Sequence, residues 1–312
     1  MNSNIIITTS KKDSTFLVYD IKEKKIIFDK ERIEDLNDLS CEGKKRPTYR
    51  PFGIYRDSDD IFIASNSRIG HFDAKTYSYK GLLDNVKCFV NTHQILKHEE
   101  ALFICNTATD SLGIYDLNTK QNKYLMLENL ELVDDIDAPK DAYEKDKLHF
   151  NSILKYQDSL FLLLNKRGYS EILEIGLTDF QFKNKIKNVG TCNHNLVIYK
   201  NHLYSISSIT GKLMRHSFES KENQFFDLHT RVDNFFLRGM KEIDGRLFVT
   251  LSKKFVKDIH EKTARHCLIL VYDLETQSIC DEHYQHSQKR RINTRTSTTR
   301  RKPQKIMNNF YI

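Results

Sequence analysis

The chain has 312 residues, long enough to bury a large core, and no stretch of eighteen uninterrupted apolar residues that would read as a membrane-spanning helix. Its net charge of +7 is set by the C-terminal segment: from His283 onward there are eight basic residues and no acid, so the rest of the chain is close to neutral and carries no nucleic-acid signature of its own. Six cysteines (Cys41, Cys88, Cys105, Cys192, Cys267, Cys280) show no CxxC spacing, which argues against a zinc knuckle or a disulfide framework.

The opening MNSNIIITTSKKD lacks the basic flank and long apolar run of a signal peptide, so a cytoplasmic protein is expected. Along the chain one pattern then recurs six times: an apolar strand ending near Ser, Thr or Asn, a turn, and a second apolar strand usually closing on Asp. The copies are IIITTS with TFLVYD, IFIASN with IGHFD, LFICNT with LGIYD, LFLLLN with EILEI, LYSISS with KLMRH, and LFVTLS with CLILVYD. These runs are strand-length and rich in β-branched and aromatic residues, and helical periodicity is weak.

A third strand precedes five of the six pairs at a fixed offset. Ten residues before Phe62, Phe103, Phe161, Tyr204 and Phe248 stand Phe52, His93, Asn151, His194 and Arg238, each opening a strand (GIY, QIL, SILKY, NLVIY, GMKEI). The same count from Ile6 runs off the N-terminus. The first unit therefore lacks its inner strand, as in a closed ring whose first blade is completed from the C-terminal region, with IMNNFYI the candidate. Fourth strands are fainter: KKIIF, YSYKGLL, NKYLML and QFFDL. The sequence thus predicts an all-β fold, a six-bladed β-propeller over residues 1–285, with a basic C-terminal tail over 286–312, part of which closes the ring. A β-sandwich built from meanders is the alternative, but it does not require six copies of one pattern at one offset.

The ordered segments THQI, LHFNSI, CNHNLV with LYSISSITGKL, and FFLRGM with LFVTLSKK resemble a bacterial family of unknown activity whose members are expected to be six-bladed propellers. The resemblance covers roughly residues 50 to 275 and rests on the His-Asn-Ser, His-Asn and Phe-Leu-Arg-Gly segments. LYSISSITGKLMRHSF is more distantly similar to the LYWTD- and NHL-type propellers, with a serine where the former carry tryptophan. A basic C-terminal stretch replaces the family's acidic-aromatic ending. The resemblance implies a fold and carries no chemistry.

Following the chain around one blade, the connections from fourth to next inner strand and from second to third strand share one face, here called the top. The three long insertions, 31–49, 126–148 and 253–265, all fall there, whereas bottom loops such as RDSDD and KYQDS are short. The 126–148 insertion holds eight acidic residues against three lysines, with no calcium-loop spacing, and reads as a solvated loop. Basic residues of the tail would attract an anionic partner or the acidic insertion, in either case in a salt-dependent way.

At the top of the inner strands stand Arg50 with Phe52, His93 with Gln94, His149 with Asn151, His194 with Asn195, and Arg238. Imidazoles, amides and guanidiniums around one opening offer donors and metal-capable nitrogens, with no carboxylate at the register position. Three classes of function fit. One is a binding propeller recognising an anionic or polyhydroxylated ligand, such as a small molecule or carbohydrate, at the mouth. A second is a metal-dependent lyase or hydrolase holding zinc, iron or manganese on His93, His149 and His194, with Arg238 or Arg50 stabilising developing negative charge. The third is a protein-interaction scaffold. Channel-mouth histidines and amides that merely satisfy backbone groups are the bland counterpart to all three.

Overall fold

A computed structural model of the chain describes residues 4–9, 14–36, 51–65, 68–86, 91–136, 146–166, 168–228, 235–253, 266–286 and 310–311. They form six antiparallel sheets arranged as the blades of a β-propeller. Blade one is Asn4–Thr9, Ser14–Asp20 and Lys25–Glu31, and its inner edge is completed by the C-terminal strand Phe310–Tyr311. Blades two to five open on the inner strands Pro51–Arg56, Thr92–His98, Phe150–Tyr156 and Asn193–Tyr199, and blade six on Phe235–Ile243. Inner strands of successive blades lie side by side, and Phe310–Tyr311 sits between those of blades six and two, so the ring closes through the C-terminal region.

Period-two burial explains the near-continuous apolar runs. Each second strand is sandwiched between neighbouring blades, so both of its faces must be apolar. In the strand Asp60–Ser65, Ile61 and Ile63 join a cluster with blade one, while Phe62 and Ala64 join one with blade three. The aromatic residues that set the ten-residue register all point the same way round the ring. Phe62 packs into the blade two–three interface, Phe103 into three–four, Phe161 into four–five, Tyr204 into five–six and Phe248 into six–one. Six clusters fill six interfaces, and each full burial of such a side chain contributes about 2 kcal/mol.

The aspartates that close the third strands cap the bottom hairpins. Asp73 Oδ1 accepts from the backbone N–H groups of Lys75 and Thr76, Asp116 from Asn118 and Thr119, and Asp273 from Glu275 and Thr276.

The outer strands extend what the sequence shows. Lys25–Glu31, Tyr79–Leu82, Asn122–Met126 and Asn223–Asp227 match the four faint candidates, and Phe182–Ile186 and Ser278–His286 supply the other two. Blade three carries a fifth strand, Glu131–Val133, formed by the start of the acidic insertion, which pairs with Asn122–Met126. Most of the three long top insertions lies outside the described residues, as do Arg50 and the basic stretch 287–309. Among the described residues no helix is long and apolar enough to cross a membrane.

Candidate functional site

Every inner strand from blade two to blade six carries a β-bulge at its top end. Pairing with the second strand slips by one residue between Pro51 and Gly53, Thr92 and Ile95, Phe150 and Ser152, His194 and Leu196, and Leu237 and Gly239. Residues left out of the ladder are therefore Phe52, the His93–Gln94 pair, Asn151, Asn195 and Arg238. A bulge frees one residue from the pleat and re-aims its side chain. Repeated five times at one height, it turns the register positions of the sequence into a ring. The structural start of each inner strand precedes the register residue by one position in blades two to five and by three in blade six.

Two of these positions carry the same local construction. His93 Nδ1 lies 2.9 Å from the carbonyl of Asn91 and 2.8 Å from Thr107 Oγ1, and that hydroxyl donates to the carbonyl of Phe150 in the next blade at 2.5 Å. His194 Nδ1 lies 3.0 Å from the carbonyl of Cys192 and 2.7 Å from Ser208 Oγ, which donates to the carbonyl of Leu237 in its next blade at 2.5 Å. Asn91 and Cys192 both adopt left-handed backbone, φ 73° and 50°, which places their carbonyls ahead of the strand. Such a conformation costs a non-glycine residue about 1 to 2 kcal/mol.

His149 occupies the matching left-handed position of blade four, φ 50°, one residue before its strand. Its Nδ1 is held 3.0 Å from a carboxylate oxygen of Asp146, whose side chain is wholly buried. Nearby, Asp110 Oδ2 accepts from the backbone N–H groups of Lys147 and Leu148 at 2.6 and 2.8 Å, which pins the chain as it re-enters blade four. Burial pushes the Asp110 carboxyl up in spite of these bonds. The His149 ring stands edge-on to His93, centroids 5.6 Å apart, and Phe52 stacks on His93 with centroids 5.0 Å apart and planes 8° from parallel.

The remaining ring members bind blade to blade. Gln94 Oε1 accepts from the Ile153 N–H at 2.9 Å, Asn151 Nδ2 donates to the Asn193 carbonyl at 3.1 Å, and Ser152 Oγ accepts from the Asn195 N–H at 3.0 Å. Arg238 lies with its guanidinium 5.1 Å over the Phe236 ring, close enough to act electrostatically on both His93 and His194. Arg50 lies outside the described residues.

His93, Gln94, Asn151, Ser152, His194 and Asn195, with Phe52 and Ile54, line one small cavity of about 10 Å3, room for roughly one water. Burial sets the charge there: it lowers His93 to about 3, with His149 and Arg238 adding to the effect, and it holds His194 well below the ordinary histidine value, with Arg238 and His93 adding to the effect. At neutral pH both rings are uncharged. Among the described residues no group of three or more His, Cys, Asp or Glu side chains is placed to hold a metal ion. His93, His149 and His194 do each have Nδ1 restrained by an oxygen, which fixes ring orientation for whatever the other nitrogen meets.

Sequence reasoning passed over Thr107, Ser208, Ser152 and Asp146. A signal for the first two exists, since each follows its histidine by fourteen residues.

The fold is shared widely. A protein of unknown function from Bacteroides caccae superposes with a TM-score of 0.61 at 11% identity, over 99% of this chain and 97% of that one. A chain of the nidogen/laminin complex matches with a TM-score of 0.60 at 9% identity, over 89% and 92%. The β-propeller domain of Cps50 (Swd1) from Myceliophteria thermophila gives 0.54 at 9%, over 90% and 82%. At these identities the likeness is one of architecture. No protein-family model matches the chain, and no curated protein does.

Proposed function

We propose that the protein is a ligand-binding propeller whose site is the top mouth of the central channel, and that its ligand is a small anionic or polyhydroxylated molecule. The observation that supports this reading best is the convergence on one cavity of polar residues at and beside the bulges. Blades three, four and five each send a polar pair to it, His93 with Gln94, Asn151 with Ser152 and His194 with Asn195. Stapling blades together needs some of these groups, yet it does not need two buried imidazoles at one opening, each desolvated and each held by a left-handed residue. The enclosed space admits one water-sized group, so a larger ligand rests over the throat and lowers a single group into it.

The test is calorimetric titration and thermal shift with sugars, polyols, sugar acids and simple oxyanions, on the wild type and on Asn195→Gly. Asn195 has left-handed backbone, φ 52°, which glycine adopts without strain, so this variant removes a ring side chain at small cost in stability. Binding that weakens tenfold or more in a variant of nearly unchanged melting temperature supports the mouth as the site. Unchanged binding places the ligand elsewhere.

A further inference from the structure

The ring nitrogens at the throat have a fixed polarity that follows from counting protons. Thr107 has one hydroxyl hydrogen, and the Phe150 carbonyl can only accept it. The contact between Thr107 Oγ1 and His93 Nδ1 must then be donated by the ring. Asn91 argues the same way independently, because its carbonyl also can only accept from Nδ1. Ser208, Leu237 and Cys192 impose the identical assignment on His194. Both histidines are thus Nδ1–H tautomers, and their Nε2 atoms carry lone pairs.

Among the described residues neither Nε2 has a hydrogen-bond partner. A third lone pair stands with them. Asn151 is 3% exposed, and its amide orientation is set by donation from Nδ2 to the Asn193 carbonyl, which leaves Oδ1 buried and without a partner. An unpartnered acceptor at this depth costs on the order of 1 to 3 kcal/mol. Donors among the residues lining the same cavity include the amide of Gln94, whose oxygen is occupied by Ile153 N–H, the amide of Asn195 and the hydroxyl of Ser152.

We propose that the throat is a hydroxyl socket: the ligand is a neutral polyol or sugar, one of whose hydroxyls donates to Nε2 of His93 or His194 or to Oδ1 of Asn151 while accepting from Gln94 or Ser152. This deepens the reading above and rests on it. Chemistry selects the class. An oxyanion brings no hydrogen to three acceptors and would meet their lone pairs directly. A divalent cation would meet the Gln94 amide hydrogens and the nearby Arg238 charge, with no carboxylate among the residues lining the cavity to balance it. A hydroxyl gives one hydrogen, accepts up to two, carries no charge and matches the volume of a water.

Uncharged recognition also predicts a flat pH profile. The charged and titratable groups acting on His93 are His149, Asp146 and Arg238, with His194 coupled to it across the ring. Burial outweighs the acid among them, so the imidazoles stay neutral well below pH 6. Anion binding by imidazolium would instead strengthen as pH falls through the ordinary histidine range.

The experiment is nitrogen NMR of histidine-labelled protein, assigned with His93→Gln and His194→Gln and titrated at pH 7.5 and 5 with glycerol, myo-inositol, succinate, sulfate and zinc. Expected are unprotonated Nε2 signals from both rings at both pH values, shifted saturably by glycerol or myo-inositol to the same extent at either pH and unmoved by succinate or sulfate. Shifts from succinate or sulfate without polyol shifts would overturn the hydroxyl socket while leaving the mouth as a ligand site. Stoichiometric zinc capture at both Nε2 atoms would overturn it in favour of a metal centre. No response of any mouth signal to any probe would remove both this inference and the ligand-binding reading.

Discussion

Thr107 in blade three and Ser208 in blade five stand in equivalent places: each hydroxyl takes a hydrogen from the imidazole fourteen residues earlier and gives its own to a carbonyl of the following blade. The two therefore do double service, orienting a mouth histidine and joining neighbouring blades. We expect Thr107→Val, which keeps shape and removes the hydroxyl, to cost about 1 to 3 kcal/mol in urea unfolding, as a buried bond is lost and its acceptor left unpaired. Ser208→Ala should behave alike. If the pair is merely incidental, both variants will unfold within about 0.5 kcal/mol of the wild type.

Stability should fall with acid earlier than carboxylate protonation alone would allow. Burial depresses His93 to about 3 and lowers His194 and His216 as well, whereas in the unfolded chain each titrates near 6.5. The unfolded state then binds more protons than the native state below that value. The stabilising contribution is complete above pH 6.5; that of His93 is lost as pH falls towards about 3, at up to about 1.4 kcal/mol per unit, and those of His194 and His216 begin to be lost below the same pH 6.5. Asp60 and Asp281, held near 2, add their losses only below the ordinary carboxylate value of 3.8. Urea midpoints between pH 7.5 and 4.5 should slope accordingly, and the double variant His93→Gln, His194→Gln should flatten that slope. A wild-type profile that is level across this window would show the rings to be solvated.

Gly53 fixes how closely blades two and three approach at the mouth. A Cβ built there would lie 2.0 Å from the carbonyl oxygen of His93, a backbone atom that cannot swing away. Gly53→Ala should force the two inner strands apart at a cost of about 1 to 3 kcal/mol or more. Because the displaced segment is the one bearing His93 and Gln94, ligand binding should weaken alongside the melting temperature. The comparison is Gly81→Ala, where the built Cβ meets no atom within 4 Å and the remaining cost is that of a left-handed backbone, φ 130°. Loss of binding confined to the Gly53 variant is the expected result.

The fold could be read from the sequence because burial on both faces of every second strand imposes a pattern that solvent-facing sheets do not have. Phe62, Phe103, Phe161, Tyr204 and Phe248 mark one place in each interface, and counting back from them reaches the mouth. The same count identified His93, Asn151 and His194 as members of one ring. It could not show the bulges, which depend on a one-residue slip in pairing, nor the left-handed turns at Asn91, His149 and Cys192. Polarity was also hidden. Imidazoles at an opening read as donors and metal ligands in sequence, whereas the hydroxyls of Thr107 and Ser208 and the depth of burial decide which nitrogen carries the proton. Arg50 and the basic stretch fall outside the described residues.

Ring closure depends on two devices at the seam between blades six and one, and their separate removal predicts distinct outcomes. At the inner edge, Phe310–Tyr311 pairs with Thr8 and Thr9 and gives blade one its fourth strand. Further out, Tyr19 donates to His283 Nδ1 at 2.5 Å, His283 donates through Nε2 to Asp281 at 2.9 Å, and Asp281 pairs with Lys24. Burial would raise Asp281, but the bonds from Lys24 and His283 prevail and hold it near 2, so the chain of bonds is intact at neutral pH. Tyr19→Phe keeps the ring within the cluster of Ile5, Ile7, Phe248, Ile269 and Val271 and removes one bond. We expect it to lower stability by about 1 to 2 kcal/mol with the seam still closed. Deleting residues 309–312 instead leaves the inner edge of blade one unpaired. Its signature should be faster amide exchange localised to the Asn4–Thr9 strand, with concentration-dependent self-association through the exposed edge. Should that strand keep its exchange protection after the deletion, the C-terminal segment does not close the ring in solution.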